Sequence, residues 1–564
     1  MNARDSSKLD EARRWHIEGR RADAKPIYSR LLRKYPANSD VQSLMAALLL
    51  DDGEATNALP FLRRLTISRP ADADLQYNLG LALTESGEHR AAIDAYAIAL
   101  RLSPAHPLAW YNTGLAWRKL GNPDKAIDAL LHDTALHPRA DSCRLLSRLY
   151  KEQKELTLAR EYAYQCVELE GAKPADLDYL VALESRYLAE SMFISDTQAL
   201  EIETLAVHAV QLSPDNAETL TNLGMVYSQL GDFAGGIPPL QRAHTLDPSN
   251  ENCLKLLAVM MMTMGDIEGG WRLRMSRERV SNAPVVATVP RWQGRIRPGL
   301  RLVVLREQGV GDEMLYAHML TDLLDAGVQV TFQCDPRLIP LFLRSEPRLH
   351  VSAGLTPEEF NDHDAFVGLG ELHIWLRPTL ADLPAPKQLF QPDQEIRDRF
   401  RTEWEHLYPG HRYVGLSWLS HSTYNGASKS IPLAILDPIL QTPDTVFICS
   451  QYGEGALELA KHARQRGYLV HVDTTCNALS DLEVAAAQLA ALDEFVSVSN
   501  ASVHLAGALG VKTHALIGRR PVWHWFLQGT PSLWYPDVTL YRQIYLDSWA
   551  EPIAEVAEEL RRRS

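Results

Sequence analysis

Residues 493–518 read DEFVSVSNASVHLAGALGVKTHALIG, and this stretch decides the fold of the second half of the chain. Residues 495–499 alternate Val and Ser, which suits a buried strand. Ser499, Asn500 and Ser502 form a polar corner, residues 503–509 a small-residue helix closed by Gly510, and residues 511–517 the next strand. Such a strand, turn and helix set backbone N–H groups at the C-terminal edge of a sheet. A helix N-terminus there offers unpaired donors and a partial positive charge, the arrangement that holds phosphate. The same residues also fit an ordinary strand–helix–strand unit whose cap serves stability alone.

Working outward, the pattern repeats. Residues 300–305 (LRLVVL) form an apolar run typical of a buried parallel strand, followed by the Gly-bearing turn REQGVGD at 306–312. A helix is predicted over 313–326, a strand over 328–333 and a helix over 337–342. A second set opens with a strand over 413–418 and the polar loop HSTYNGASKS at 421–430. Strands at 446–450 and 468–472 and helices at 455–466 and 481–492 lead into the opening stretch. This gives one α/β lobe over 300–383, an inter-lobe segment at 384–411, a second lobe over 412–545 and a C-terminal helix at 546–564. Two Rossmann-like lobes leave a cleft at the C-terminal edges of both sheets.

The first half has a different grammar. Gly19, Gly53, Gly87 and Gly121 are spaced 34 apart, as are Ala24, Ala58, Ala92 and Ala126, and Pro36, Pro70, Pro104 and Pro138. Near the far end, Leu220, Leu223, Gly224 and Tyr227 precede Gly231 and Pro248 in the same register. Period and residue types match the tetratricopeptide helix–turn–helix repeat. The expected array is an α-solenoid over residues 1–275, degenerate between Pro138 and Pro214, with a Pro/Gly-punctuated linker at 276–299. In it the Gly series is expected to permit close helix packing, and the Pro series to end each unit. Stacked repeats present a concave face to a peptide or protein partner. Asn78, Asn112 and Asn222 share one repeat position, from which an amide pairs with the backbone of an extended acceptor peptide. The alternative is that these amides satisfy neighbouring helices.

The chain of 564 residues carries a net charge of −14, which argues against a nucleic-acid partner. Its six cysteines include no CxxC pair, so no zinc signature is present and reduced thiols are expected. The first residues, MNARDSSKLDEARRWHIEG, contain no apolar leader, and no run is long enough to span a bilayer. A cytoplasmic protein is expected. Asp362, His363 and Asp364 are adjacent loop residues expected to be solvent-exposed rather than metal ligands. Trp523, Trp525, Trp534 and Tyr535 are expected to be core or lobe-joining aromatics.

Four motifs carry a resemblance: 307–312 (EQGVGD), 429–433 (KSIPL), 497–510, and the tail WYP at 534–536 with YRQ at 541–543. Together they resemble the GT-B glycosyltransferases, specifically the heptosyltransferase-like domain often fused behind tetratricopeptide repeats in bacteria. The layout is also similar to O-GlcNAc transferases and to bacterial flagellin glycosyltransferases. The resemblance implies a nucleotide-sugar donor, no bound metal or other cofactor, and transfer to Ser or Thr of a protein acceptor, with flagellin a candidate. It implies that Asp312, in a Gly-Asp motif, is the base that takes the acceptor proton, with Glu307 a substitute; the residue-level alternative is that Asp312 only caps the following helix. Lys429 is expected to neutralise the donor phosphate, the amides of Asn500, Ala501 and Ser502 to hold it, and Ser499 and His504 to reach the donor; the residue-level alternatives are a solvated surface Lys429 and a packed His504. Ser417, Ser450 and Gln451 end strands facing the nucleotide, and Arg519 and Arg520 are expected to be a solvated pair. Where many relatives of this type carry Asp-Thr at the phosphate turn, this chain has Ser499-Asn500, which leaves the donor open. Two other functions fit: an adaptor with an inactive transferase domain, or an enzyme acting on saccharide or lipid-linked acceptors.

Overall fold

A computed structural model of the chain describes residues 1–275, 289–306, 309–383, 387–422, 426–453, 455–473, 476 and 478–562. Glu307 and Gln308 of the EQGVGD motif, and most of the linker at 276–299, lie outside these residues. The chain divides into two compact units, Met1–Leu183 and Glu184–Ser564, with the boundary inside the repeat array.

Residues 1–275 form sixteen helices among the described residues, from Ala3–Ile17 to Ile267–Met275. Their starts are written locally. Asn38 accepts from the backbone N–H groups of Asp40 and Val41 at 3.1 and 3.0 Å, and Asp72 accepts from Leu75 at 3.1 Å. Asn216 and Asn250 do the same for the helices Ala217–Leu230 and Glu251–Thr263. Such caps satisfy donors that the first helical turn leaves open. Ala24, Ala58, Ala92 and Ala126 are fully buried where paired helices approach.

The glycines divide into two series with different physics. Gly19, Gly53, Gly87 and Gly121 have φ of +79°, +73°, +82° and +70°, and an added Cβ would meet nothing within 4 Å. They serve the left-handed turn between helices, which corrects the expectation of close packing. Close packing belongs to Gly80, Gly114 and Gly224, where a Cβ would lie 2.5 Å from the Tyr96 ring, 2.7 Å from Leu130 and 2.5 Å from Leu240. In the degenerate repeat Lys154 takes the turn at φ 66°. A side chain held left-handed costs about 1 kcal/mol. Lys154→Gly should therefore raise the urea midpoint of unfolding by about that much stability; an unchanged or lower midpoint would show that the turn carries no strain.

The rest of the second unit holds two parallel sheets. The first contains β1 (Arg301–Leu305), β2 (Gln329–Gln333), β3 (His350–Ser352) and β4 (Ala365–Gly368), in the order β3-β2-β1-β4. The second contains β5 (Arg412–Ser417), β6 (Thr445–Cys449), β7 (Val470–His471), β8 (Glu494–Val498), β9 (Thr513–Ile517) and β10 (Val538–Arg542), in the order β10-β9-β8-β5-β6-β7. Register sets Val304 beside Val367 and Leu416 beside Val496. The apolar runs are covered on both faces, with Leu302, Val303, Val304, Val496 and Val498 fully buried. Each sheet reverses its winding once, between β1 and β4 and between β5 and β8, and ligands of open α/β sheets bind outside such reversals. The inter-lobe segment carries the helix Gln394–Leu407, whose Trp404 packs 5.6 Å from the Tyr413 ring.

The helix expected at 313–326 is two, Val310–Tyr316 and His318–Asp325. It starts early because Gly309 is its N-cap and the Asp312 carboxylate accepts from the Gly309 N–H, at a long 3.4 Å. Behind it the last repeat is joined to both lobes by aromatic rings. Trp271 is buried, stacks on His373 at 5.9 Å and meets the edges of Tyr316 and Trp523 at 6.0 and 6.2 Å. Trp523, Trp525, Trp534 and Tyr535 are all buried in this region. Arg520 is not a solvated side chain: its guanidinium donates to the carbonyls of Leu188 and Ser191 at 2.6 and 3.1 Å. Nor is the 362–364 loop without partners, since Asp362 and Asp364 pair with Arg301 and His363 meets Thr331 Oγ1 at 2.8 Å. Among the described residues, no helix is long and apolar enough to cross a membrane.

Candidate active site

Parallel strands send every following loop to one edge, and here the loops of both sheets converge on a cavity of about 450 Å³. Its wall takes Gly309 to Asp312 after β1, Ser420 to Ser422 after β5, Cys449 to Tyr452 at and beyond the end of β6, Ser499 to Ser502 after β8, and Val522 and His524 after β9. Lys429, His504 and, at an apolar end, Leu482, Ala485 and Leu489 complete much of it. Of the residues chosen from sequence, Asp312, Lys429, Ser450, Gln451, Ser499, Asn500, Ala501, Ser502 and His504 all line this one space. The two lobes touch beside it: a Cβ on Gly311 would lie 3.0 Å from His504 Cδ2 and 3.8 Å from the Ala501 Cα.

The hydrogen bonds separate residues that face a ligand from those that brace the wall. Asn500 is the cap of the helix Ala501–Ala508, its Oδ1 accepting from the Ser502 and Val503 N–H groups at 3.0 and 3.4 Å. Ser502 N–H is therefore already engaged, whereas Ala501 N–H makes no hydrogen bond among the described residues. The Asn500 amide also donates to Ser417 Oγ at 2.8 Å and Leu419 O at 3.1 Å, crossing the β5/β8 reversal. Ser417 is 1% exposed, is not part of the wall, and donates to Gln451 Oε1 at 3.0 Å. Gln451 Oε1 also accepts from the Trp418 and Leu419 N–H groups at 2.9 and 2.8 Å. Ser417 and Gln451 thus fix the loop after β5; Ser417 does so from behind the wall, a correction to its expected place against the donor, while Gln451 also lines the cavity. Ser499 Oγ accepts from Trp525 Nε1 at 2.9 Å, and the Trp525 ring stacks on His504 at 5.2 Å. His504 Nδ1 meets the Tyr535 hydroxyl at 3.1 Å.

Three groups define the electrostatics. Burial raises the Asp312 carboxyl above the usual range, against the Gly309 N–H and the charges of Arg274 and Lys429. Burial pushes the Lys429 ammonium down to about 8, with Asp312 restraining the fall. Burial, reinforced by the charge of Lys429, pushes His504 down to about 3, so its imidazole is neutral at pH 7. Lys429 makes no hydrogen bond or ion pair among the described residues; the carboxylate that acts on it is that of Asp312. A cation and a carboxylate face one cavity, beside a helix mouth with an open N–H.

Sequence reasoning missed Gln488 and His524, both on the cavity wall and nearly buried. Gln488 Nε2 and both ring nitrogens of His524 have no hydrogen-bond partner among the described residues. Neither residue lies in a recognisable motif, and an orphaned polar atom becomes visible only once its surroundings are built. In the repeats, Asn112 donates to the Tyr77 hydroxyl at 3.0 Å, so part of its amide serves its own array. Asn78 and Asn222 are half-buried.

Comparison with known proteins bears on both halves. Tetratricopeptide-repeat family models match residues 18–74, 77–135 and 217–250. Protein FlbA of Caulobacter vibrioides is 29% identical over 378 residues, covering 63% of this chain and 63% of that protein. BBSome complex member BBS4 of Bos taurus is 33% identical over 84 residues, 15% of each chain. The chain thus spans less than two thirds of the length of either relative. Among solved structures, MamA is 24% identical over 28% of this chain and 92% of its own, with a TM-score of 0.27. YrrB, a TPR protein with an unusual peptide-binding site, is 17% identical over 34% of this chain and 95% of its own, with a TM-score of 0.31.

Proposed function

We propose that this protein is a GT-B glycosyltransferase that moves a sugar from a nucleotide-sugar donor to Ser or Thr of a protein acceptor held by its repeats, without a bound metal. The observation that carries this reading is Lys429: a half-buried cation with no ion pair among the described residues, in one cavity with Asp312 and the Ala501 helix mouth. Lys429 and the Ala501 N–H would hold the donor phosphate, and the apolar end beside Gln488 suits a nucleobase. In the reaction the bond from the anomeric carbon to phosphate oxygen breaks as the acceptor oxygen bonds to that carbon. The acceptor proton goes to Asp312, and the leaving phosphate is stabilised by Lys429.

The similarity to FlbA supports a single joint role for the two halves, because its 378 aligned residues exceed the length of the 275-residue array. Flagellin is the acceptor we propose to test first, and a cytoplasmic site of action follows from the donor. The experiment incubates the full chain with flagellin and a panel of UDP-, GDP-, dTDP- and CMP-sugars, then measures intact mass. A mass increase equal to one glycosyl residue supports the reading. Nucleotide binding without transfer points to a saccharide or lipid-linked acceptor, and neither binding nor transfer points to an adaptor.

A further inference from the structure

Resting on the nucleotide-sugar reading, we infer that Arg337 reads the nucleobase of the donor, giving hydrogen bonds to a base with a ring carbonyl, as uracil, thymine, cytosine and guanine have and adenine lacks. Arg337 lies in the short turn Pro336–Leu338 after β2, on the cavity wall, with its side chain 32% exposed. That turn packs against the helix Leu482–Ala490, which brings Leu482, Ala485 and Leu489 to the apolar end of the cavity. The guanidinium is held from both lobes. Its Nε and Nη2 donate to the two carboxylate oxygens of Asp335, each at 2.8 Å, and its Nη1 donates to the Leu479 carbonyl of the second lobe at 2.8 Å. Asp335 is itself fixed. Its carboxylate accepts from the Arg337 backbone N–H at 3.0 Å, and its own N–H donates to the Glu313 carboxylate at 2.7 Å.

A guanidinium carries five N–H donors, and these contacts spend three of them. Two are left over, on a side chain that is open by a third and lines the cavity. Charge decides what such donors suit. The carboxylate acting on Lys429 is Asp312, whereas those acting on Arg337 are Asp335 and Glu313. Lys429 makes no ion pair among the described residues and keeps its charge for phosphate. The two-point pairing with Asp335 cancels most of the Arg337 charge while fixing the plane of its remaining N–H groups. A phosphate gains most from an uncancelled cation. A ring carbonyl is neutral and gains from donors held in a set direction. The guanidinium can only donate, so adenine, with an amino group and no carbonyl, offers it the poorer edge. The cavity thereby divides its two cations: an unpaired one for the anionic part of the donor, and a neutralised, oriented one for the base.

The test titrates wild type and Arg337→Met with UDP, GDP, dTDP, CDP and ADP, all diphosphates, so that only the base differs. Wild type should bind at least one of the four carbonyl-bearing nucleotides about tenfold or more tightly than ADP. Methionine keeps an apolar stem and loses the donors. In that variant the preference should shrink to about twofold, because the favoured nucleotide weakens while ADP stays within about twofold of its wild-type affinity. A preference kept by the variant, or a parallel loss of ADP, overturns the inference. Since methionine leaves Asp335 without its two-point partner, the double variant Arg337→Met, Asp335→Asn is titrated beside it and should behave alike. Should neither variant fold, wild type decides, and ADP bound as tightly as the best of the other four refutes the role of Arg337. A wild type that binds none of the five removes the underlying reading itself, a result distinct from binding all five alike.

Discussion

Lys429→Met should weaken binding of nucleotide sugars and nucleoside diphosphates alike by about a hundredfold or more, on the proposed reading. Methionine keeps the length and apolar stem of lysine, so what is removed is the charge. That charge lies in a desolvated cavity, where a contact with phosphate is screened far less than on an open surface. The same substitution should leave thermal stability unchanged or raised, because burial of the ammonium, seen in its fall to about 8, opposes folding. Calorimetric titration and a melting curve read the two effects separately. Loss of binding accompanied by a falling melting temperature would identify Lys429 as a structural residue instead. The wild type carries a pH signature of the same origin. Lys429 is charged below about pH 8 and neutral above it, so donor affinity should hold at lower pH and decline as pH rises through that value.

Asp312→Asn should lower turnover by about a hundredfold to ten-thousandfold while sparing donor binding. The carboxylate must be ionised to accept the acceptor proton, and burial raises the pH at which it ionises. Wild-type kcat/KM should therefore rise with pH as Asp312 loses its proton and fall again above about pH 8 as Lys429 loses its own. In the Asn variant the rising limb should vanish. The falling limb should move to lower pH, because Asp312 is the charge that helps keep Lys429 protonated. Turnover and profile both unchanged would confine Asp312 to its bond with the Gly309 N–H, the role of a helix cap.

The two effects depend on one feature of the fold. Asp312 follows a strand of the first sheet and the Asn500 turn a strand of the second, and the lobes meet where Gly311 lies against His504. A side chain at Gly311 would press on the His504 ring, so spacing between the proposed base and the phosphate site is set by a missing Cβ. The last repeat helix reaches the same helix from behind, through Trp271 and Tyr316.

What the sequence determined on its own was whatever local physics writes: the 34-residue period and the apolar strands. The gathering of Asp312, Lys429 and Asn500 was also legible, since parallel strands deliver their following loops to one edge whatever the details of packing. Tertiary structure alone decided which of those polar residues are free. Asn500 reaches Ser417 across 83 residues and Gln451 reaches Ser417 across 34, so both serve as braces, while the nitrogens of His524 are left without a partner. The physical reason is that a polar side chain takes its role from the partner it finds. Partners distant in the chain are chosen by the packing of sheets and lobes, which leaves no periodic mark in the sequence.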